Sequence, residues 1–490
     1  MVMGATSGAG KSLVVMGLCR ILADLGFRVA PFKSQNMSLN SYITQNGEEI
    51  ARAQELQARA ARAEPIAAMN PILLKPKGNA ISQVVVEGRP YKDMDVQEYY
   101  GSFARSKGIE IIKRNFEILS KSNDFVIIEG AGSPAEINLG DQEIANIPTA
   151  RISDADCILV VNIEWGGAFA YLYGTLLLLN EEDRKKFKGV IINNMHGDHE
   201  TLEVGIKKAE KELGIKVLGV LPHLDLELPT EDSMFLKDKG AKEDSTTLIG
   251  IIRLPRISNF TDFDPFTLEE GISVVYIDDP NDLDNVDLII IPGTKNTVQD
   301  LIWMNERGLS QKIRSLKGKM PIIGICGGYQ MLGTEIHDLY GLEGGQSRSL
   351  EGIGLLQAQT VFDSKEKRTV QVEGELLLGK GGKVRGYEIH MGRTTSLEAP
   401  VFYITSDGGY HEGSVSTDGM VLGTYLHGVF DLPAFRQHVI SLIKADRKSH
   451  FEEAKNLDSA VENSISEVAR IMKKRLILRY LIPEVGGVSD

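Results

Sequence analysis

Pro321-Ile-Ile-Gly-Ile-Cys326-Gly-Gly-Tyr-Gln-Met-Leu332 decides how this chain is read. Its first half is a short apolar run bounded by proline, the pattern of a buried strand. Its second half begins a helical pattern, and Gly324, Gly327 and Gly328 crowd the joint. A strand that turns sharply into a helix exposes the residue at the turn as a nucleophile. A helix start also favours the thiolate form of a cysteine. Cys326 therefore reads as a nucleophile, with the Gly327 N–H as a natural donor to an oxyanion. A buried structural cysteine, the common fate of a free thiol, would not need these flanking glycines.

A cysteine nucleophile needs a base. Two histidines compete: His427, in Val421-Leu-Gly-Thr-Tyr-Leu-His427-Gly, and His390, in Gly386-Tyr-Glu-Ile-His390-Met-Gly-Arg393. Working outward, strands are expected at Leu248–Leu254, Ser273–Ile277, Leu288–Ile291 and Ile322–Ile325, with later β-like runs at Val384–Ile389 and Val421–Tyr425. Upstream, residues 230–246 are polar and charged and read as a linker.

The first half carries a second α/β series. Strands are expected at Met1–Met3, Phe27–Phe32, Val84–Glu87, Phe125–Glu129, Cys157–Ile163, Val190–Asn193 and Val217–Leu221. Helical patterns cover Lys11–Leu25, which Gly26 is placed to end, and Ile50–Ala63. Continuous apolar strands alternating with helices argue for a parallel sheet covered on both faces. The series opens on Gly4-Ala5-Thr6-Ser7-Gly8-Ala9-Gly10-Lys11-Ser12 after a very short strand. Backbone N–H groups at Gly4, Gly8 and Gly10, with the helix start behind them, can wrap phosphate oxygens. Lys11 would neutralise the β- and γ-phosphates, and the Ser12 hydroxyl would ligate Mg²⁺. Glu129 ends the apolar run Asp124-Phe-Val-Ile-Ile-Glu129, where a hard cation finds an oxygen ligand. Glu136 and Asn138 follow closely as weaker candidates. Asn193-Asn194 reads either as a contact to the adenine edge or as a plain turn.

Composition narrows the classes. A length of 490 residues exceeds one ordinary core. A formal net charge of -13 argues against a general nucleic-acid binder. The three cysteines, Cys19, Cys157 and Cys326, have no CxxC spacing, so they suggest neither a disulfide framework nor a zinc site and fit a reduced, cytoplasmic setting. No apolar stretch is long enough to span a bilayer.

Several stretches, collinear over nearly the whole chain, resemble the cobyric acid synthase family of glutamine-dependent corrinoid amidotransferases. They are Pro31-Phe-Lys-Ser-Gln-Asn-Met-Ser-Leu-Asn-Ser41, Met69-Asn-Pro-Ile-Leu-Leu-Lys-Pro76, Glu129-Gly-Ala-Gly-Ser-Pro-Ala-Glu-Ile-Asn138, Arg253-Leu-Pro-Arg-Ile-Ser-Asn-Phe-Thr-Asp-Phe-Asp264, Pro292-Gly-Thr-Lys-Asn-Thr297 and Gly386-Tyr-Glu-Ile-His-Met-Gly-Arg-Thr394. The phosphate loop, with Gly4 one place before the strict Walker position and Ala5 in it, is similar to the dethiobiotin-synthetase branch. The resemblance implies an α/β protein of two domains. A phosphate-loop, parallel-sheet domain binding ATP and corrinoid would cover 1–229. After the linker, a flavodoxin-like class I glutamine amidotransferase domain would cover 247–440, with a helical extension over 441–490.

The resemblance also implies roles. The Gly-x-x-x-His-Gly setting of His427 is similar to that of the catalytic histidine in class I glutamine amidotransferases. Those enzymes usually carry Glu two residues further on, where this chain has Val429, so the third member stays open. Gly293 or Thr294 would supply the second oxyanion donor. The implied reaction is amidation of the b, d, e and g side-chain carboxylates of adenosylcobyrinic acid a,c-diamide through acyl phosphates. Its implied needs are glutamine and ATP with Mg²⁺, with no other bound cofactor. Ammonia would be protonated in bulk water, so a protected route between the domains is expected. The nearest alternative is the sister enzyme, cobyrinic acid a,c-diamide synthase. An alternative of another class is a partitioning-type phosphate-loop ATPase whose second half is a degenerate binding module.

Overall fold

The runs Leu288–Ile291 and Ile322–Ile325 bury every residue, as strands covered on both faces must. A computed structural model describes residues 1–480, apart from 79, 227, 229–244, 344, 365 and 444–455. In it, such runs assemble into two parallel sheets, one in each half of the chain.

The first sheet runs Val29–Phe32, Phe125–Ile128, Val2–Gly4, Cys157–Asn162, Phe187–Met195, Lys216–Pro222. Its two parts join where Glu129 bridges Val2 and the Gly130 N–H bonds the Val2 carbonyl at 2.9 Å. The phosphate-loop helix spans Lys11–Asp24. It ends as expected at Gly26, whose φ of 90° only glycine adopts without strain.

One expected strand of this sheet lies elsewhere. The run at Val84–Glu87 belongs to Ile81–Val86, in an antiparallel meander with Ile72–Gly78 and Arg89–Asp95. Glu87 and Gly88 both have positive φ and close the two-residue hairpin turn. Its three valines imitate a fully buried strand. The helix expected from Ile50 begins at Arg52, because Glu49–Ala51 pairs with Ser41–Ile43.

The second sheet runs Ile272–Ile277, Thr247–Ile252, Leu288–Ile291, Ile322–Ile325, Val421–Thr424, all parallel, with Ser414–Val415 antiparallel at the edge. Numbered along the chain, the parallel strands stand in the order 2-1-3-4-5 of flavodoxin-like sheets, which bind ligands at their C-terminal ends. Two further four-stranded sheets are inserted before Val421–Thr424, and Lys383–His390 lies in one of them.

Most of the expected linker, 230–244, lies outside the described residues. The C-terminal extension does not stay with the second domain. Helix Leu457–Arg475 returns to the first and lays Val461, Ile465, Val468 and Met472 on the phosphate-loop helix. Gly17 gives Met472 room, since a Cβ there would overlap its sulfur. Arg20, buried, grips Glu462 with two bonds of 2.7 and 3.0 Å.

The two domains meet over the C-terminal end of the second sheet. The Ser41 N–H donates to Asn259 Oδ1 at 2.9 Å and the Asn259 N–H to the Leu39 carbonyl at 3.2 Å. Tyr387 Oη donates to the Ser41 carbonyl at 2.8 Å. Lys367 pairs with Glu49 at 2.7 Å. These contacts set the second domain's loops against the first domain's 39–51 segment.

Candidate active site

Cys326 joins strand Ile322–Ile325 to helix Gly327–Leu332 with φ 52° and ψ -107°. A non-glycine residue held there stores about 1–3 kcal/mol of strain, a pattern concentrated at active sites. Its N–H is anchored on the Thr424 carbonyl at 2.7 Å. The adjoining glycines answer to close packing. A Cβ at Gly328 would overlap the Ile291 carbonyl, and one at Gly324 would lie 2.6 Å from the Tyr329 nitrogen.

His427 follows strand Val421–Thr424 and is buried. Its Nδ1 lies 2.6 Å from Asp262 Oδ2, and the other carboxylate oxygen accepts the Gly428 N–H at 2.9 Å. The carboxylate thus fixes both the ring and the chain behind it. Burial alone would lower the imidazole's pKa. The Asp262 carboxylate and the Cys326 sulfur outweigh it and raise the group to about 10. The site therefore favours the imidazolium form of His427 beside Cys326. Tyr387 stacks on the ring at 5.4 Å and exchanges backbone bonds with His427.

Asp262 stands in the place of the third member that the sequence left open. It stands 165 residues before His427, on the loop after the strand Thr247–Ile252. No local spacing links the two, and its one signal was membership of the Arg253–Asp264 stretch. His390 lines the same pocket, but its ring nitrogens meet Glu388 Oε2 and the Gly392 carbonyl, both at 2.9 Å.

The expected oxyanion groups gather at one rim. An ideal Cβ on Gly327 would lie 3.3 Å from the Thr294 nitrogen, and one on Gly293 would lie 2.8 Å from His427 Cε1. Asp300 steadies the Gly293–Thr294 turn by accepting the Thr294 hydroxyl at 2.5 Å, and is itself paired with Arg256 at 2.8 Å. The other two cysteines are different. Cys19 and Cys157 are buried, and burial pushes both thiols up.

The phosphate loop lies at the C-terminal end of the first sheet. Gly8 and Gly10 have φ of 67° and 99°, which folds the loop tightly before the helix. Lys11 Nζ donates to the Thr6 and Gly132 carbonyls, both at 3.2 Å. A Cβ on Gly4 would come 2.9 Å from that ammonium. Ser12 Oγ donates to Glu129 Oε1 at 2.9 Å. Glu129 is buried and also takes Lys33 at 2.7 Å and the Gln57 amide. Lys33 and Gln57 were not singled out in the sequence; Lys33 stands in the Pro31–Ser41 stretch and Gln57 in the helical pattern expected over Ile50–Ala63.

Asn193 is buried beneath the loop, where its amide donates to the Ala9 carbonyl at 3.1 Å and occupies the space a Cβ at Gly10 would need. The structure brings it to the loop as a brace. Asn194, with φ 61°, is the turn residue. Glu136 and Asn138 are exposed.

A Cys–His–Asp glutaminase site and a phosphate loop in one chain define a glutamine-dependent amidotransferase. Residues 1–232 match the family model for the CobQ/CobB/MinD/ParA nucleotide binding domain, and 248–435 that for the CobB/CobQ-like glutamine amidotransferase domain. Among curated relatives, the probable cobyric acid synthase of Methanococcoides burtonii is 48% identical, over 96% of this chain and 94% of its own. That of Methanosarcina mazei is 46% identical over 100% and 99%. The cobyric acid synthase of Clostridium tetani is 42% identical over 99% and 98%. The chain belongs to the cobyric acid synthase family. Among the described residues no helix is long and apolar enough to cross a membrane.

Proposed function

We propose that this enzyme amidates the b, d, e and g side-chain carboxylates of adenosylcobyrinic acid a,c-diamide, in cobalamin biosynthesis in the cytoplasm. The observation that carries the reading is the Cys326–His427–Asp262 triad opening onto the phosphate-loop domain, in a chain collinear with its relatives over nearly its full length. The intact triad speaks against a partitioning-type ATPase with a degenerate second half.

The chemistry divides between the domains. Cys326 Sγ attacks the glutamine side-chain carbonyl, and the N–H groups of Gly327 and of Gly293 or Thr294 hold the oxyanion. As the intermediate collapses, the C–N bond breaks and His427 gives its proton to the departing ammonia. His427 then draws a proton from water, which opens the thioester to glutamate and restores the thiolate. Asp262 keeps the imidazole oriented through both steps.

In the other domain the acceptor carboxylate takes the γ-phosphoryl group of ATP to become an acyl phosphate, with Lys11 offsetting phosphate charge. Mg²⁺ arriving with ATP would supply further neutralisation, and the oxygen donors Ser12 and Glu129, 2.9 Å apart, suit a hard cation. Ammonia displaces phosphate and leaves the amide.

Mass spectrometry of the corrinoid after incubation with glutamine, ATP and Mg²⁺ tests the reading. The expected product from the a,c-diamide carries four new amides. Turnover of cobyrinic acid itself, with none of the a,c-diamide, would assign the chain to the sister reaction instead.

A further inference from the structure

The pocket that holds Cys326 and His427 contains more charge than the triad uses. Most of it is held in ion pairs. Lys75 and Lys367 share the buried Glu49, His427 has Asp262, and His390 has Glu388. Two groups remain. Lys295 follows the oxyanion turn, and its ammonium donates to the neutral amide oxygen of Gln83 at 2.7 Å. Glu343 is buried, with one carboxylate oxygen accepting the Thr297 N–H at 2.6 Å. Among the described residues neither makes an ion pair, with the other or with anything else.

A buried charge without a counter-charge in contact is costly. Burial, followed by repulsion from Lys367 and Lys75, holds the Lys295 ammonium well below its ordinary pKa. Burial outweighs the attraction of Lys295, which stands outside ion-pair distance, and raises Glu343. Both groups are thus pushed toward neutrality. They stand fixed nonetheless, Lys295 by Gln83 and Glu343 by Thr297 and by the Asn296 amide on its own carbonyl at 2.5 Å.

A ligand that brings one carboxylate and one ammonium satisfies both. The substrate of this pocket is such a zwitterion, with both charges on the carbon remote from the reacting amide. We infer that Lys295 and Glu343 form the clamp for the α-amino-acid end of glutamine, Lys295 taking the α-carboxylate and Glu343 the α-ammonium. The inference rests on the glutaminase reading above. It makes the pair specificity-determining: they select a free α-amino acid over other primary amides, and they place its carbonyl carbon at Cys326. The Gln83 contact means that the first domain helps hold one jaw of the clamp.

The test uses substrates that lack one charge each: 4-carbamoylbutanoate, without the ammonium, and 4-aminobutanamide, without the carboxylate. Amide hydrolysis is measured with the full-length enzyme, wild type, Lys295→Met and Glu343→Gln. Each variant should lose about 10–100-fold in kcat/KM for glutamine, carried by KM, the usual worth of a charge-assisted bond. The decisive readout is the crossing pattern. Lys295→Met should leave hydrolysis of 4-aminobutanamide nearly unchanged, and Glu343→Gln that of 4-carbamoylbutanoate. Ammonia-driven synthesis, which bypasses the pocket, should persist in both and reports folding. Equal losses on all three amides in either variant would overturn the clamp while leaving the glutaminase reading intact. A wild type that hydrolyses no glutamine would overturn both.

Discussion

Asp262→Asn keeps the size of the side chain and removes its charge. In the folded protein the carboxylate accepts two bonds, from His427 and from the Gly428 N–H. An amide offers one acceptor oxygen, so one of these donors must face an NH₂ group. An orphaned buried donor costs about 1–3 kcal/mol. The larger effect is on the imidazole. Its rise from an ordinary 6.5 to about 10 corresponds to about 5 kcal/mol between its protonation states, and Asp262 supplies most of what opposes burial. Without that charge, only the Cys326 sulfur opposes burial, so the ring's pKa falls and the imidazolium is less favoured at neutral pH. Glutamine hydrolysis should fall roughly 10³–10⁴-fold, as when a triad carboxylate is neutralised and its histidine takes the wrong tautomer. The alkaline limb of the rate profile should move to lower pH. Stability should shift in the same sense. The wild-type contribution from a raised histidine is fully present below pH 6.5 and lost as pH rises through about 10, and the variant should show no such loss. Initial-rate measurements of glutamate release across pH, with ammonia-driven amidation as a control for folding, provide the assay. A variant within about tenfold of wild type with an unmoved alkaline limb would refute the role given to Asp262.

Cys326→Ala should abolish glutamine-driven amidation and spare amidation driven by external ammonia, both followed by product mass; equal loss of the two would break the division of labour. Substitution of Cys19 or Cys157 by serine should leave thiol labelling at Cys326 and both activities near normal. Lys11→Ala should stop amidation while glutamate release continues, measured on one sample. Met472→Ala should cost about 2–5 kcal/mol in chemical denaturation, the usual range for a buried Met→Ala cavity, because its sulfur fills the space above Gly17; a cost below about 1 kcal/mol would mean that the returning helix is a loose cover.

Local pattern carried the two sheets, the elbow and the phosphate loop. Each is a contiguous run whose period and glycines state its geometry, and Ile322–Ile325 and Leu288–Ile291 fall at their expected bounds. What was not legible is what contiguity does not encode. Asp262 meets His427 across 165 residues, through the 2-1-3-4-5 strand order that brings two distant loops to one sheet edge. Val84–Val86 reads as buried on both faces because three valines hide the alternation of a meander, and the turn at Glu87-Gly88 was the better signal. Asn193 shows a third limit. An asparagine after a strand has one sequence signature whether it faces a ligand or braces a loop, and only the structure shows its amide on the Ala9 carbonyl.

The triad is assembled from loops that the other domain holds. The Asp262 loop is tied at Asn259 by Leu39 and Ser41. The oxyanion turn is tied at Lys295 by Gln83 and, through Asp300 and Arg256, by the Lys77 carbonyl at 3.1 Å. Tyr387, stacked on the imidazole, is tied at its hydroxyl by Ser41. A displacement near 1 Å of any one is enough to cost a large part of the rate, since reacting groups must align closely. The same 38–41 segment lines, through Ser38 and Asn40, the pocket beside Ser12 of the phosphate loop. One short stretch of chain thus touches the phosphate-loop pocket on one face and the loops around Cys326 and His427 on the other. An amidotransferase wastes glutamine if the thiolate fires without an acceptor in place. A fold that completes the nucleophile's surroundings only against the synthase domain ties the geometry of ammonia release to the surface that consumes it.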